Sequence, residues 1–289
     1  MEYEGMVYRP PSEARSLIIQ VTIGCAHNKC TFCTMYKEKQ FRVRKMKDIF
    51  HDLDEMAGYY GDMPLRIFLA DGDALILSNE KLVAILDHIA EKFPNVQRIT
   101  SYATAKDVLR KSVEELKELK AKGLDMVYVG AESGDPEILK AVRKDVTCEE
   151  LIEASQKLKE AKIDISLTLI SGLGGRARRD EHAIRSAELV SAITPEYLGF
   201  LTLMLEEPAE ILEPIRKGEF ELLRPEDIVE EMRLFLEHVD SEGTVFRANH
   251  ASNYIILKGN LNRDIPSMLS YLREVEQGKR FRAERFRRL

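Results

Sequence analysis

The sequence predicts an α/β protein built on a mostly parallel sheet, and three observations predict it. Short apolar runs alternate with longer amphipathic segments along most of the chain, the order that produces right-handed βαβ units. Six strand-like runs stand at 16–23, 65–69, 97–102, 126–130, 164–170 and 197–205. At 289 residues and 44% hydrophobic content, the chain is long enough for one such domain with a sizeable core.

The run 16–23 reads as a buried strand bounded by Gly24. Helical spacing of apolar residues follows at 46–59, 79–92, 112–122, 148–162 and 180–192, placing a helix after most strands. Ser78 with Asn79, and Thr147, suit N-caps, and Gly123 suits a C-cap. Beyond residue 205 the pattern changes. Glu206 and Glu207 before Pro208 start a loop, and Arg224 and Pro225 open a helix running to about His238. Residues 244–247 read as a further short strand, followed by a polar stretch through Tyr254. The expected organisation is a repeat region at 1–205 and a C-terminal extension at 206–289 that covers the mouth of the sheet. Six repeats fall short of an eightfold barrel, and sites in such folds lie at the carboxyl ends of the strands.

Composition narrows the function. A net charge of −6 argues against a surface devoted to nucleic acid. No run of 18 apolar residues is present, and residues 1–5 lack the basic and then apolar character of a leader. The chain reads as cytoplasmic and not membrane-bound. In a reducing compartment, clustered cysteines mean metal or redox chemistry rather than disulfides.

Three of the four cysteines form such a cluster, Cys25, Cys30 and Cys33, in a C-x4-C-x2-C run directly after the first strand. Three thiolates on one loop make a soft but incomplete metal shell. Structural zinc takes four ligands, whereas a [4Fe–4S] cluster held by three leaves one iron open to a cofactor or substrate. The spacing is also that of plant-type ferredoxins, which use a fourth cysteine downstream. A non-catalytic electron carrier with Cys148 as fourth ligand is therefore the alternative from another class. His27, inside the run, reads as loop structure.

The strand ends carry further motifs. The second strand closes on Asp71, Gly72 and Asp73, where two carboxylates offer acceptors for an ammonium, although Asp-Gly also begins ordinary turns. The fourth runs into Gly130-Ala-Glu132-Ser133-Gly134. The fifth closes on a glycine-rich turn after Ser171. With the cysteines, these segments resemble the radical S-adenosylmethionine (SAM) superfamily. The likeness is to the Gly-x-Glu-Ser-Gly branch that includes the methylthiotransferases and the coproporphyrinogen dehydrogenase relatives. Two departures stand out: the first cysteine gap is one residue longer than the family's commonest spacing, and Asp71, Gly72 and Asp73 occupy the place of its Gly-Gly-Glu.

The resemblance implies a partial (β/α)6 barrel of the TIM type. It implies that Cys25, Cys30 and Cys33 ligate a [4Fe–4S] cluster whose open iron chelates SAM. It further implies that Asp71, Gly72 and Asp73 receive the methionyl ammonium, and that Glu132 takes the ribose diol or that ammonium. Ser133 opens a helix whose N–H groups favour an anion, and Arg143 or Lys144 pairs with the methionyl carboxylate. A helix-terminal charge complementing the dipole is the plainer role for those two bases. Phe32, Ser171 and Leu203 line the adenine. The implied activity is reductive cleavage of SAM to a 5′-deoxyadenosyl radical that abstracts hydrogen from substrate, with flavodoxin or ferredoxin as electron donor.

Because there is no second cysteine cluster and no evident RNA-binding appendage, a small-molecule substrate is expected, with an RNA-modifying enzyme as the alternative. Arg247, Asn249 and His250, just after the last strand, are the expected catalytic, substrate-holding residues at the mouth. Asn253 belongs to the same polar stretch. The basic tail at 279–289 reads as a solvated terminal helix rather than an RNA contact.

Overall fold

The computed structural model describes residues 1–278 and 280–287. It divides the chain into two units, one comprising 1–28, 35–129 and 153–165, the other 29–34, 130–152 and 166–289. In the first, the apolar run after Ser16 becomes β1 (Leu17–Gln20) and β2 (Thr22–Ile23) instead of one strand. The run parts at Val21 because its halves pair with different partners. β1 lies parallel to β4 (Leu65–Ala70), whereas β2 pairs antiparallel with β3 (Arg42–Val43). Helix α1 (Met46–Tyr60) leads to β4 (Leu65–Ala70), and α2 (Asn79–Lys92) to β5 (Val96–Ala103). Helices α3 (Ala105–Leu109) and α4 (Val113–Ala121) precede β6 (Leu124–Glu132). Strands β1, β4, β5 and β6 pair in that order, all parallel.

Local signals explain most boundaries. Ser112 caps α4 in a reciprocal box with Glu115, and Thr147 does the same with Glu150 at α6 (Cys148–Glu160). Gly123, at φ +103°, follows α4 as expected. Ser78 stands at the N-cap position of α2 but makes no capping bond through its side chain.

Both faces of the first unit's sheet are buried, as parallel sheets require. Ile19, Ile67 and Leu69 fill one side. Ile18, Phe68, Ala70, Met126 and Tyr128 form a cluster on the other, where Phe68 meets Tyr102 and Tyr128 edge-on at 5.0 and 6.0 Å. Buried Glu13 closes this cluster, accepting from Tyr128 Oη and Arg98, each at 2.5 Å. Burial, and then the bond to Glu13, push the Tyr128 phenol well above its ordinary pKa.

The second unit contains α5 (Pro136–Ala141), most of β7 (Asp164–Ser171), α7 (Arg179–Ile193), β8 (Tyr197–Thr202), α8 (Leu212–Arg216), α9 (Pro225–His238), β9 (Val245–Ala248), β10 (Leu257–Asn260) and α10 (Ile265–Gly278). β9 is the short strand expected near 244–247, and it pairs parallel with β8, which pairs parallel with β7. β10 and α10 were not read from the sequence. β10 is polar, and it returns antiparallel to β9. Phe200 of β8, Phe235 of α9 and Phe246 of β9 form an aromatic core with centroids 5.1 to 6.3 Å apart. That core shows which face of β8 and β9 the helix covers. No helix among the described residues is long and apolar enough to cross a membrane.

Phe200 is 1% exposed and touches both other rings. Phe200→Ala is expected to lower the unfolding free energy by about 3–5 kcal/mol, read as a shift of the urea midpoint at unchanged slope.

Candidate functional site

In the first unit the end of β4 is tied to the start of the cysteine loop. Asp71 is fully buried, and its Oδ2 accepts from Gln20 Nε2 at 3.1 Å, Gly24 N at 3.0 Å and Lys39 Nζ at 2.8 Å. Its Oδ1 is buried with no hydrogen-bond partner. Asp73 Oδ2 accepts from Ala26 N at 2.6 Å, and Gly72 N donates to Gly24 O at 3.2 Å. The three strand-end residues thus grip both sides of Cys25.

In the second unit Cys30 and Cys33 sit on a turn closed by Cys33 N to Cys30 O at 3.4 Å. Thr31 fastens that turn at both ends, donating to Val142 O and accepting from Ile211 N, each at 3.0 Å. Phe32 packs with Ile170 and Leu203 against Ile138, Val142 and Leu173, so two of the residues expected at the adenine share one apolar cluster.

Glu132 ends β6 in a left-handed conformation, φ +65°, which costs an L-residue roughly 1–2 kcal/mol. Its carboxylate folds back over Gly130, where a Cβ would lie 2.1 Å from Glu132 Oε1. Lys144 Nζ donates to that oxygen at 2.8 Å. Arg143 instead pairs with Glu210 at 2.6 Å on the surface, so the two adjacent bases face different partners. Ser133 is buried and accepts from Asp135 N at 3.0 Å. Helix α5 therefore opens at Pro136, capped by Asp135, and not at Ser133 as expected. Gly134 must stay bare, because a Cβ would lie 2.2 Å from Arg185 O.

A buried acid that sequence reasoning missed anchors the end of β7. Glu231 of α9 is fully buried, and its Oε1 accepts from Ser171 Oγ at 2.6 Å and Gly172 N at 2.9 Å. Its Oε2 lies 3.2 Å from Nδ1 of buried His182 in α7. Burial alone pushes the His182 imidazole down, but the Glu231 carboxylate 3.2 Å away holds it above the ordinary histidine value. The legible signal was a glutamate on the apolar stripe of α9, amid Ile228, Met232 and Phe235.

Arg247 and Asn249 are exposed and His250 is half-buried. Ser252 N donates to His250 Nδ1 at 3.1 Å, which leaves Nε2 as the protonated nitrogen. Burial, and then Arg282, keep this ring below the ordinary pKa. Asn253 is buried and holds Thr202 Oγ1 and Phe200 O at 2.9 and 2.8 Å, so it braces the core. The tail departs from a solvated helix. Arg282 donates to His250 O and Ala251 O, and buried Arg287 to Ser252 O. Lys279, Arg288 and Leu289 of that tail lie outside the described residues.

None of the four cysteines is in a disulfide. Burial pushes the Cys148 thiol up to about 11, and its Sγ donates to Gly134 O at 3.2 Å. It is therefore a protonated thiol, ill-suited to metal. No three His, Cys, Asp or Glu side chains among the described residues are gathered in metal-binding geometry. The donor chemistry nonetheless suits an iron–sulfur cluster: Cys25, Cys30 and Cys33 are three half-buried thiols on one loop.

Residues 19–187, more than half of the chain, match the Radical SAM superfamily. The chain belongs to that superfamily. Its members bind a [4Fe–4S] cluster and SAM. The chain is 27% identical over 191 residues to a tRNA-2-methylthio-N(6)-dimethylallyladenosine synthase of Ehrlichia canis (strain Jake), covering 62% of this chain and 42% of that one. It spans less than half the length of the curated relatives first matched. Among solved structures it is similar to coproporphyrinogen III oxidase (HemN) of Escherichia coli, with TM-score 0.57 and 17% identity over 77% of this chain and 52% of that one. It is also similar to the radical SAM methyltransferase TsrM of Kitasatospora setae, solved with cobalamin and a [4Fe–4S] cluster, with TM-score 0.56 and 19% identity over 70% and 39%. Likeness at these identities shows the fold, the α/β partial TIM barrel that the family resemblance implied.

The buried His182–Glu231 pair sets a pH dependence on this radical SAM protein. A histidine raised in the folded state contributes fully below its unfolded pKa of about 6.5 and loses that contribution as pH rises through its folded value. Unfolding free energy is therefore expected to decline as pH rises above about 6.5. Glu231→Gln should cost about 3–5 kcal/mol at pH 6 and flatten that decline, as measured by urea unfolding across a pH series.

Proposed function

We propose that the chain is a radical SAM enzyme acting on a small molecule through hydrogen abstraction. The observation that carries this reading is the Cys25, Cys30 and Cys33 loop, whose first member is gripped by Asp71 and Asp73 through the flanking Gly24 and Ala26 amides. When bound, a reduced [4Fe–4S] cluster and SAM supply an electron and a 5′-deoxyadenosyl radical, which takes a hydrogen atom from substrate.

The chain's own residues bind and orient. Cys25, Cys30 and Cys33 would hold the cluster through their thiolates. Asp71 Oδ1 is the acceptor for the methionyl ammonium, a role supported by its burial without a protein partner. Glu132, held by Lys144, presents a carboxylate to the ribose diol. Phe32, Ile170 and Leu203 offer the apolar surface on which an adenine ring would stack. Flavodoxin or ferredoxin would deliver the electron.

A small molecule is favoured over RNA because Arg282 and Arg287 of the basic tail are spent on loop carbonyls. The relative from Ehrlichia canis is a tRNA-modifying enzyme by name, but the chain covers well under half of it. The electron-carrier alternative needs Cys148, whose raised pKa and bond to Gly134 O speak against ligation.

Anaerobic reconstitution is expected to load about four irons per chain, and dithionite with SAM should release 5′-deoxyadenosine. Cys30→Ala should abolish the cluster absorbance, while Cys148→Ala keeps it. Intact SAM over a loaded, reduced cluster would refute the enzyme, and cluster loss in Cys148→Ala would favour the carrier.

A further inference from the structure

Arg247 of β9 and Lys258 of β10 are directly opposed partners in the antiparallel pair. Packing shows which face they leave. Phe246, next to Arg247, stacks on Phe235 of α9. Its cross-strand partner Gly259 lies so close to α10 that a Cβ there would meet Met268 Sδ at 3.3 Å. Successive strand residues leave opposite faces, so Arg247 and Lys258 leave the face opposite Phe246 and Gly259, and Lys258, on the edge strand, also borders a groove with Ser267, Met268 and Tyr271 of α10. Both are exposed.

The row continues across the sheet. Arg247 is in register with Gly199 of β8, and Gly199 with Thr168 of β7. Gly199 adds no side chain, and a Cβ built there would find nothing nearer than 3.7 Å. The result is an open floor with a hydroxyl on one side and two cations on the other.

Like charges directly opposed on a sheet repel. Arg98 of β5, opposed to Arg66 of β4 in the same way, has Glu13, and Lys144 has Glu132. Arg247 bonds only the Phe246 carbonyl, at 3.0 Å, and neither it nor Lys258 has a carboxylate partner among the described residues. An arginine fork beside a lysine point charge is the donor set that an oxyanion takes.

We propose that Arg247 and Lys258, with Thr168 across the Gly199 floor, bind a phosphate or carboxylate group of the substrate. The inference rests on the small-molecule reading above and narrows it to an anionic substrate. His250, whose Nε2–H is set by the Ser252 amide on Nδ1, follows on the adjoining loop as a further neutral donor.

The reconstituted protein is titrated by calorimetry with inorganic phosphate and, separately, with succinate. The wild type is expected to bind at least one of them, and the stronger arm identifies the oxyanion. Lys258→Gln, and Arg247→Gln with Lys258→Gln, should each weaken binding about tenfold or more, the loss of a charge-assisted hydrogen bond. Absence of binding by either anion would overturn the site. Unchanged binding in Lys258→Gln would also overturn it, leaving that lysine as an ordinary guard of an edge strand. Lys258 is exposed on a short strand, so its variant keeps the test decisive if Arg247→Gln fails to fold. Release of 5′-deoxyadenosine by the wild type is measured in parallel. Its absence would defeat the activity reading while the anion titration still decides this one.

Discussion

One buried carboxylate, that of Asp71, organises the start of the cysteine loop. A fully buried charge is tolerated only when paired and hydrogen-bonded, and Asp71 meets that condition through Lys39, Gln20 and the Gly24 amide. Those three donors come from the end of β1, the residue before Cys25 and the segment leading to β3. Satisfying one oxygen therefore fixes where the chain turns into the loop. The remaining oxygen is spared from that work. A motif that reads as a ligand contact is thus first a structural clamp.

The second unit solves a similar problem with a different acid. Ser171 and Gly172, at the end of β7, are held by Glu231, which arrives from α9 some sixty residues later. His182 lies against the other oxygen of that carboxylate. Glu132 is bent back over Gly130 and tied to Lys144. Strand ends that must present polar groups are thereby made rigid by charges hidden beneath them, as a preorganised site requires. Arg247 and Lys258, by contrast, have no carboxylate partner among the described residues.

Much of the fold was legible before any coordinates, and the misses have identifiable causes. β4 through β9 fall where short apolar runs placed them, within a few residues at their ends. Thr147 and Gly123 serve as the caps their types suggest. The run at 16–23 split because pairing, not hydrophobicity, decides where a strand ends. β10 was invisible because Leu257-Lys-Gly-Asn carries almost no apolar signal and is held by its partner strand. The tail read as solvated because its arginines are basic, and only the loop carbonyls at 250–252 show that Arg282 and Arg287 turn inward.

The sequence by itself determined the alternation of strands and helices, the three clustered thiols and the Gly130-Ala-Glu132-Ser133-Gly134 segment, because periodicity and spacing are properties of neighbours along the chain. Tertiary structure alone decided which partner each charge takes. Lys144 rather than Arg143 meets Glu132, Glu231 rather than any local residue holds Ser171, and Lys258 stands against Arg247. Electrostatic and hydrogen-bond energies depend on separations of a few ångströms in space, and residues tens of positions apart acquire such separations only when the sheet register and helix packing bring them together.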